Sequence, residues 1–382
     1  MKWTLVLFVL LVSNNIKAQE TPKVAVFTPL YLDSAFNGNE YKLGNANLPK
    51  YMLQGLDFYH GIMLAIDSLA KEGADIDVVV FDTKSPESFQ SVLNSSAFEN
   101  ITFAIACFNN RDEQKELAGL LLERKIPLVS VTYPNAAGIE SNPYFIMLNS
   151  GLQTHVQEIY KYIQRNYPVN SNIAFLKGPG ATDQILFQYF AENDKTTRSV
   201  PLKYKTIQLS ANIQAMQLRQ VLDSTKNNVI ICGSINEAFG TQLLQTLAEL
   251  KNHKRVVIGM PTWDGLKELE KPDYKAFTTI YTTPFNINRN HPIAKQVAEQ
   301  YTQKTSGRPS DLVFKGFESM YYFSRLSLMY GANLMQQLAD ASVAVFSEFS
   351  LQPVAVKNIK QQTDYWENKR IYFIKKGGTE VK

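Results

Sequence analysis

Short apolar runs alternate along this chain with longer stretches whose apolar positions recur every three or four residues. Lys23–Pro29 (KVAVFTP) reads as a strand, and a polar, aromatic loop follows it. The run Met52–Leu69 then places Leu56, Tyr59, Ile62, Met63, Ile66 and Leu69 on one face of a helix. Gly73 is its C-cap. Further strands are read at Asp77–Phe81, Phe103–Cys107 and Pro127–Val131, with helices opening at Ser85-Pro86-Glu87 and spanning Asp112–Arg124. The pattern breaks near Phe145–Ser150, where a long helix, Thr154–Tyr167, begins a second set. Its strands are Asn172–Lys177, Lys203–Leu209, Asn228–Cys232, Arg255–Met260 and Ala276–Pro284, and its helices Thr182–Asn193, Ile213–Asp223 and Asn236–Leu250. Two more helices, Pro292–Thr305 and Lys315–Gly331, come next. The tail reads as strands Phe349–Lys357 and Arg370–Lys375 joined by a polar loop, ending in a hairpin. Alternation of this kind builds parallel sheets covered by helices on both faces, an α/β protein of two lobes. In open sheets of that type ligands sit beyond the carboxyl ends of the strands.

The N-terminus predicts an export signal. Lys2 precedes the unbroken apolar run Thr4–Val12, which is too short to span a bilayer, and cleavage is expected near Ala18. No cysteine follows that run, so no lipoprotein anchor is expected, and the chain is placed in the periplasm without a membrane span. At 45% hydrophobic and 19% charged residues, the chain can bury two cores of ordinary size. Its net charge of +4 includes Lys2 and Lys17 of the expected signal, so the mature chain is near neutral, which argues against nucleic acid as a partner. The two cysteines, Cys107 and Cys232, end apolar strands in different lobes and are expected as buried, unpaired thiols.

Enzyme motifs are missing: there is no G-x-S-x-G elbow, P-loop or HExxH, and His60, His155, His253 and His291 are scattered. Neither a cofactor nor a metal is expected. The G-x-G of Gly178-Pro179-Gly180 lacks the third glycine of a dinucleotide fingerprint, and Pro179 removes a donor.

Taken in order, these pieces resemble the type I periplasmic binding proteins, the substrate-binding components of branched-chain amino acid ABC transporters and the ligand-binding regions of related receptors. Gly55–Leu69 with Gly61, Leu64, Ala65 and Ile66 is similar to that family's first helix. Asp82-Thr83 is similar to its second strand end, Ile126–Ser130 to its I-P-x-I-S strand, and Asn142–Phe145 to its passage between lobes. The resemblance implies two Rossmann-like lobes joined by three crossings, near Leu148–Gly151, Thr283–Asn288 and Ala341–Ser350. Lobe 1 would comprise 22–149 and 287–342, and lobe 2 150–286 and 343–382, closing on a ligand by hinge motion. It also implies a small-molecule ligand, with an amino acid or related metabolite foremost, delivered to an ABC permease. A cell-envelope regulator or sensor using the same fold for protein contacts is the alternative. The expected oligomeric state is a monomer or a weak dimer. Two loops depart from the pattern: Asn109-Asn110-Arg111-Asp112 stands where amino acid binders carry a Ser/Thr cluster, and Thr132-Tyr133-Pro134-Asn135 replaces the S-P-x-x-T type loop.

Candidate ligand residues are the polar groups at strand ends and helix starts. Lobe 1 offers Tyr31, Asn109, Asn110, Arg111, Thr132, Tyr133 and Asn135. Arg111 suits a bidentate carboxylate or an ion pair with Asp112 or Glu113, and the two asparagines suit a ligand or a helix cap. Lobe 2 offers Thr182, Asp183, Ser234, Asn236, Trp263 and Asp264. Asp183 and Asn236 also suit caps. Trp263 and Asp264 pair an aromatic face with a carboxylate at a strand end, a combination that can stack on a ligand and meet its cation, and Trp263 packed under a hinge strand is an equal alternative.

Overall fold

The computed structural model describes residues 21–44, 48–250, 253–272, 274, 277–356 and 359–377, so the expected signal Met1–Ala18 lies outside the described residues. Five strands open the first lobe: β1 (Lys23–Thr28), β2 (Asp77–Asp82), β3 (Phe103–Ala106), β4 (Leu128–Ser130) and β5 (Phe145–Met147). They pair in parallel in the order β5-β4-β3-β1-β2. Helices α1 (Lys50–Lys71) and α2 (Arg111–Glu123) lie between them in sequence. Side chains alternate across this sheet as the strand period demands. Val24, Val26, Ile105 and Val129 enter one apolar cluster, and Ala25, Phe27, Ala104 and Leu128 enter the cluster on the opposite face.

Helix α3 (Leu152–Asn166) leads into the second lobe, whose strands are β6 (Asn172–Lys177), β7 (Tyr204–Gln208), β8 (Asn228–Gly233), β9 (Arg255–Ile258) and β10 (Thr278–Thr283). These too are parallel, in the order β10-β9-β8-β6-β7. Helices α4 (Ala181–Thr196) and α5 (Glu237–Glu249) follow β6 and β8. The same alternation sends Ile173, Phe175, Val229 and Ile231 to one cluster and Ala174, Leu176, Ile230 and Cys232 to the other.

The chain then returns. Helices α6 (Pro292–Thr305) and α7 (Asp311–Tyr330) pack on the first sheet. Proline at the first helical position sets the start of α6 where the sequence predicts it. Helix α7 begins earlier than predicted because Ser310 caps it, its hydroxyl accepting from the Leu312 N–H. Helices α1 and α7 touch at a pair of glycines. A Cβ on Gly61 would lie 2.0 Å from the Val313 carbonyl oxygen, and one on Gly316 2.3 Å from that of Phe58. Only residues without a side chain allow backbones this close.

The tail corrects the sequence reading. The polar stretch expected as a loop is a strand, β12 (Ile359–Asn368), antiparallel to β11 (Leu351–Val356). Strand β12 also joins the free edge of β5 in parallel, with Trp366 opposite Ile146 and Glu367 opposite Met147. Residues 343–356 and 359–368, expected in lobe 2, therefore belong with the first sheet and its core. Val343, Phe346, Phe349 and Leu351 are buried in its core. The physical cause is the edge of β5, whose backbone groups need partners that β12 supplies. Of the described tail only β13 (Tyr372–Gly377) enters the second lobe, where it pairs antiparallel with β10, and the far side of the predicted terminal hairpin lies outside the described residues. The third crossing falls between β12 and β13 rather than at Ala341–Ser350. The predicted helix Ile213–Asp223 is also shorter, at Ala215–Arg219.

One side chain touches all three crossings. Asn368 is fully buried. Its amide nitrogen donates to the carbonyls of Leu148, in the first crossing, and Pro284, in the second. Its Oδ1 accepts from the N–H groups of Ser350 and Arg370, and its own carbonyl accepts from the Ser150 hydroxyl. Nearby, the buried Glu318 of α7 accepts from the Phe346 and Ser347 N–H groups and from the Ser347 hydroxyl, which itself accepts from the N–H of Asn286. Cys107 and Cys232 are buried and unpaired, one in each lobe. Among the described residues no helix is long and apolar enough to cross a membrane.

Candidate functional site

The carboxyl ends of the two sheets are where the sequence places its candidates, and most of these side chains are committed to the local fold. Asn110 caps α2, its Oδ1 accepting from the N–H groups of Asp112 (2.8 Å) and Glu113 (3.2 Å). Arg111 follows it, and its Nε donates to the Ala137 carbonyl, tying α2 to the loop after β4. The Thr132 hydroxyl donates back to the Phe108 carbonyl at 2.8 Å, and Tyr133 packs half-buried against the first-lobe core. Asn135 folds its own loop, with Oδ1 accepting from the Ala137 N–H at 2.8 Å. Asn109 is exposed. Tyr31 stands edge-on to Tyr51 with ring centroids 4.8 Å apart, and Lys84 lies over its ring.

The second lobe repeats this economy of polar groups. Asp183 is buried, and its carboxylate accepts from the Gly180 N–H at 2.9 Å, closing the first turn of α4. Asn236 caps α5 through the Phe239 N–H, and Ser234 is buried with its oxygen accepting from the Asn236 N–H. Trp263 is the clearest correction. It is fully buried, and its ring lies so close to Gly259 that a Cβ there would be 2.0 Å away. It is a core residue of lobe 2 and presents no face to a ligand. Its neighbour Asp264 is exposed and sits beside the Tyr281 hydroxyl, whose pKa is raised by burial first and then by that carboxylate.

Between the lobes lies a cavity of about 410 Å³. Lobe 1 contributes Pro134, Asn135 and Ala136 from the loop after β4, and Met147 at the end of β5. Lobe 2 contributes Gly151, Leu152 and Gln153 at the start of α3, and Thr182, Ile185 and Tyr189 along α4. Ile235, Pro261 and Thr262 follow β8 and β9, and Tyr365 and Glu367 enter from β12. The volume falls in the range that holds a metabolite-sized ligand. A neighbouring cavity of about 540 Å³ opens on lobe 2 alone, sharing Thr182 and Ile235 and reaching Asp183, Asn236 and Gln242. The interlobe cavity has the stronger claim, because residues of both lobes line it.

The interlobe cavity is mostly apolar. Among its described lining residues the one charged side chain is Glu367, 4% exposed. Glu367 Oε1 accepts from the Gly151 N–H at 2.9 Å and from the Thr154 hydroxyl at 2.7 Å, and Oε2 is ion-paired with Lys369. The carboxylate therefore occupies the N-terminal end of α3, where the helix favours negative charge. Thr262 adds a buried hydroxyl with no partner among the described residues.

Of the sequence candidates, Asn135 and Thr182 line this cavity, and Asp183 and Asn236 line its neighbour. Met147, Leu152, Gln153, Ile185, Tyr189, Ile235, Thr262, Tyr365 and Glu367 were not singled out. One signal for them exists in α4. Leu186 and Phe190 are its buried stripe, while Ile185 and Tyr189, four residues apart, are apolar positions outside it.

No family model and no curated protein sequence matches the chain. Solved structures do. A protein of Rhodospirillum rubrum provisionally described as a branched-chain amino acid ABC transporter superposes with a TM-score of 0.67 at 10% identity, over 92% of this chain and 96% of that one. A branched-chain amino acid ABC transporter periplasmic ligand-binding protein of Burkholderia xenovorans gives 0.57 at 12% identity, over 95% and 92%. A fatty acid ABC transporter substrate-binding protein of Thermomonospora curvata gives 0.52 at 12% identity, over 93% and 88%. The chain thus has the type I periplasmic-binding fold.

Proposed function

We propose that the protein is an exported solute-binding protein that captures a small molecule between its lobes for ABC-type uptake. The observation that carries this reading is the cavity lined from both lobes and from β12, the strand that leads into the third crossing. A ligand there touches both halves at once, so its binding energy favours the closed arrangement. The neighbours' names support the same role by likeness of fold alone.

A melting-temperature screen against amino acids, amides, sugars and apolar metabolites tests the proposal. A true ligand raises the midpoint with concentration, and Ile185→Asp, which places a charge in the cavity, abolishes the rise. A screen with no concentration-dependent rise contradicts it.

A second reading, an envelope module that binds another protein, is favoured by one feature. Leu32, Phe36, Tyr41, Tyr51 and Leu53, all following β1, are exposed apolar side chains. Pull-down of a single envelope protein that Phe36→Asp and Tyr51→Asp release would support that reading.

A further inference from the structure

Resting on the reading of the interlobe cavity as a solute site, the geometry points to an uncharged ligand with an apolar body, rather than a zwitterion or an anion. The walls that face each other across the gap are hydrocarbon and ring: Met147 on one lobe, Leu152, Ile185, Tyr189 and Ile235 on the other, and Tyr365 from β12. Ile185 is 42% exposed, an apolar side chain left uncovered on the face that meets the other lobe. Removing such surface from water favours an apolar occupant.

Charge argues the same way. No lysine, arginine or histidine is among the described residues lining the cavity. The position that would attract a ligand carboxylate, the start of α3, holds the carboxylate of Glu367, whose two oxygens already accept from Gly151, Thr154 and Lys369. The first turn of α4, which borders the same space, is closed by the Asp183 carboxylate. An incoming anion would lose its water, find no cation among the described lining residues, and meet helix starts already occupied by the Glu367 and Asp183 carboxylates. An ammonium group fares little better, because Glu367 is neutralised by Lys369 and almost wholly buried. Apart from Glu367, the polar side chains among the described lining residues are Asn135, Gln153, Thr182, Thr262, Tyr189 and Tyr365, all uncharged. They suit a hydroxyl, carbonyl or amide on an otherwise apolar molecule.

The test uses two fluorescent arylamines that differ by one sulfonate: uncharged N-phenyl-1-naphthylamine and anionic 8-anilinonaphthalene-1-sulfonate. The uncharged probe should saturate the mature protein at one site with a rise in emission, and the sulfonate should bind at least about tenfold more weakly. Ile185→Asp should weaken the uncharged probe by about tenfold or more while leaving the circular dichroism unchanged, since that side chain is exposed. Equal or tighter binding of the sulfonate overturns the inference, and so does uncharged-probe binding that Ile185→Asp leaves intact. If neither probe binds, the inference falls. A metabolite that still raises the melting temperature would then leave the solute-binding reading standing, and a silent screen would remove both.

Discussion

The side-chain amide of Asn368 lies 3.4 Å from the carbonyl oxygen of Pro284, joining the third crossing between the lobes to the second. The same nitrogen reaches Leu148 in the first crossing, at 3.3 Å. One buried asparagine is thus the common fastening of a three-strand hinge. Truncation as Asn368→Ala leaves the Ser350 and Arg370 N–H groups and two carbonyls short of a partner. It should lower unfolding free energy by about 2–4 kcal/mol, each orphaned buried group costing about 1–3 kcal/mol with water relieving part of the loss. A shift in the urea midpoint checks this. Asn368→Asp keeps the acceptor but removes the donor, and it should also be destabilising.

Glu318 gives stability a pH dependence. Burial, outweighing the donors from Ser347 and Phe346 and the nearby Lys315 charge, lifts its carboxyl from 4.5 to about 7. Between those values the folded chain holds a proton that the unfolded chain has released. Stability contributed by this group is therefore full below the unfolded pKa and is lost as pH rises towards 7, by about 3 kcal/mol in all. His155 runs the other way. Burial lowers its pKa from 6.5 to about 3, so its contribution is lost as pH falls below 6.5. Comparing Glu318→Gln with the parent chain isolates the first effect. The difference between their urea midpoints at pH 5 and at pH 7.5 should change in favour of the variant at the higher pH.

The glycine pair between α1 and α7 makes a packing prediction. Gly61→Ala drives a methyl into the Val313 carbonyl, so the helices must separate or bend. A loss of about 1–3 kcal/mol is expected, despite alanine's higher helix propensity. Gly119→Ala in α2, where nothing lies within 4 Å, should be neutral or stabilising in the same denaturation assay.

The cysteines should be inert in the native state. Burial lifts the thiol of Cys107 to about 11 and that of Cys232 to about 12, leaving almost no thiolate at neutral pH. Ellman's reagent should titrate neither thiol in the folded mature chain and both after denaturation.

The doubly wound order was legible because each buried strand is a short apolar run and each long helix carries one apolar stripe, as in Val24–Phe27 and in α1. The tail was not, because pairing outweighs composition there. Residues 359–368 include Gln362, Thr363 and Asp364, which suit a loop by type, yet the open edges of β5 and β11 recruit them as a strand. The lining of the interlobe cavity was only partly legible, for a related reason. Asn110, Asp183 and Asn236 are polar residues at helix starts, and helix starts need their own acceptors before any ligand does. The cavity wall is instead made of apolar residues whose exposure only the facing of the two lobes reveals, such as Ile185.

The claim that a solute closes the lobes is met most directly by a distance across the gap. Spin labels at Asp112→Cys, in the first turn of α2, and Glu237→Cys, in the first turn of α5, sit on exposed positions of opposite lobes, and the buried native thiols will not compete for label. With the compound that most raises the melting temperature, the electron–electron distance should shorten and its distribution narrow. A distribution that the same compound leaves unchanged would contradict capture between the lobes.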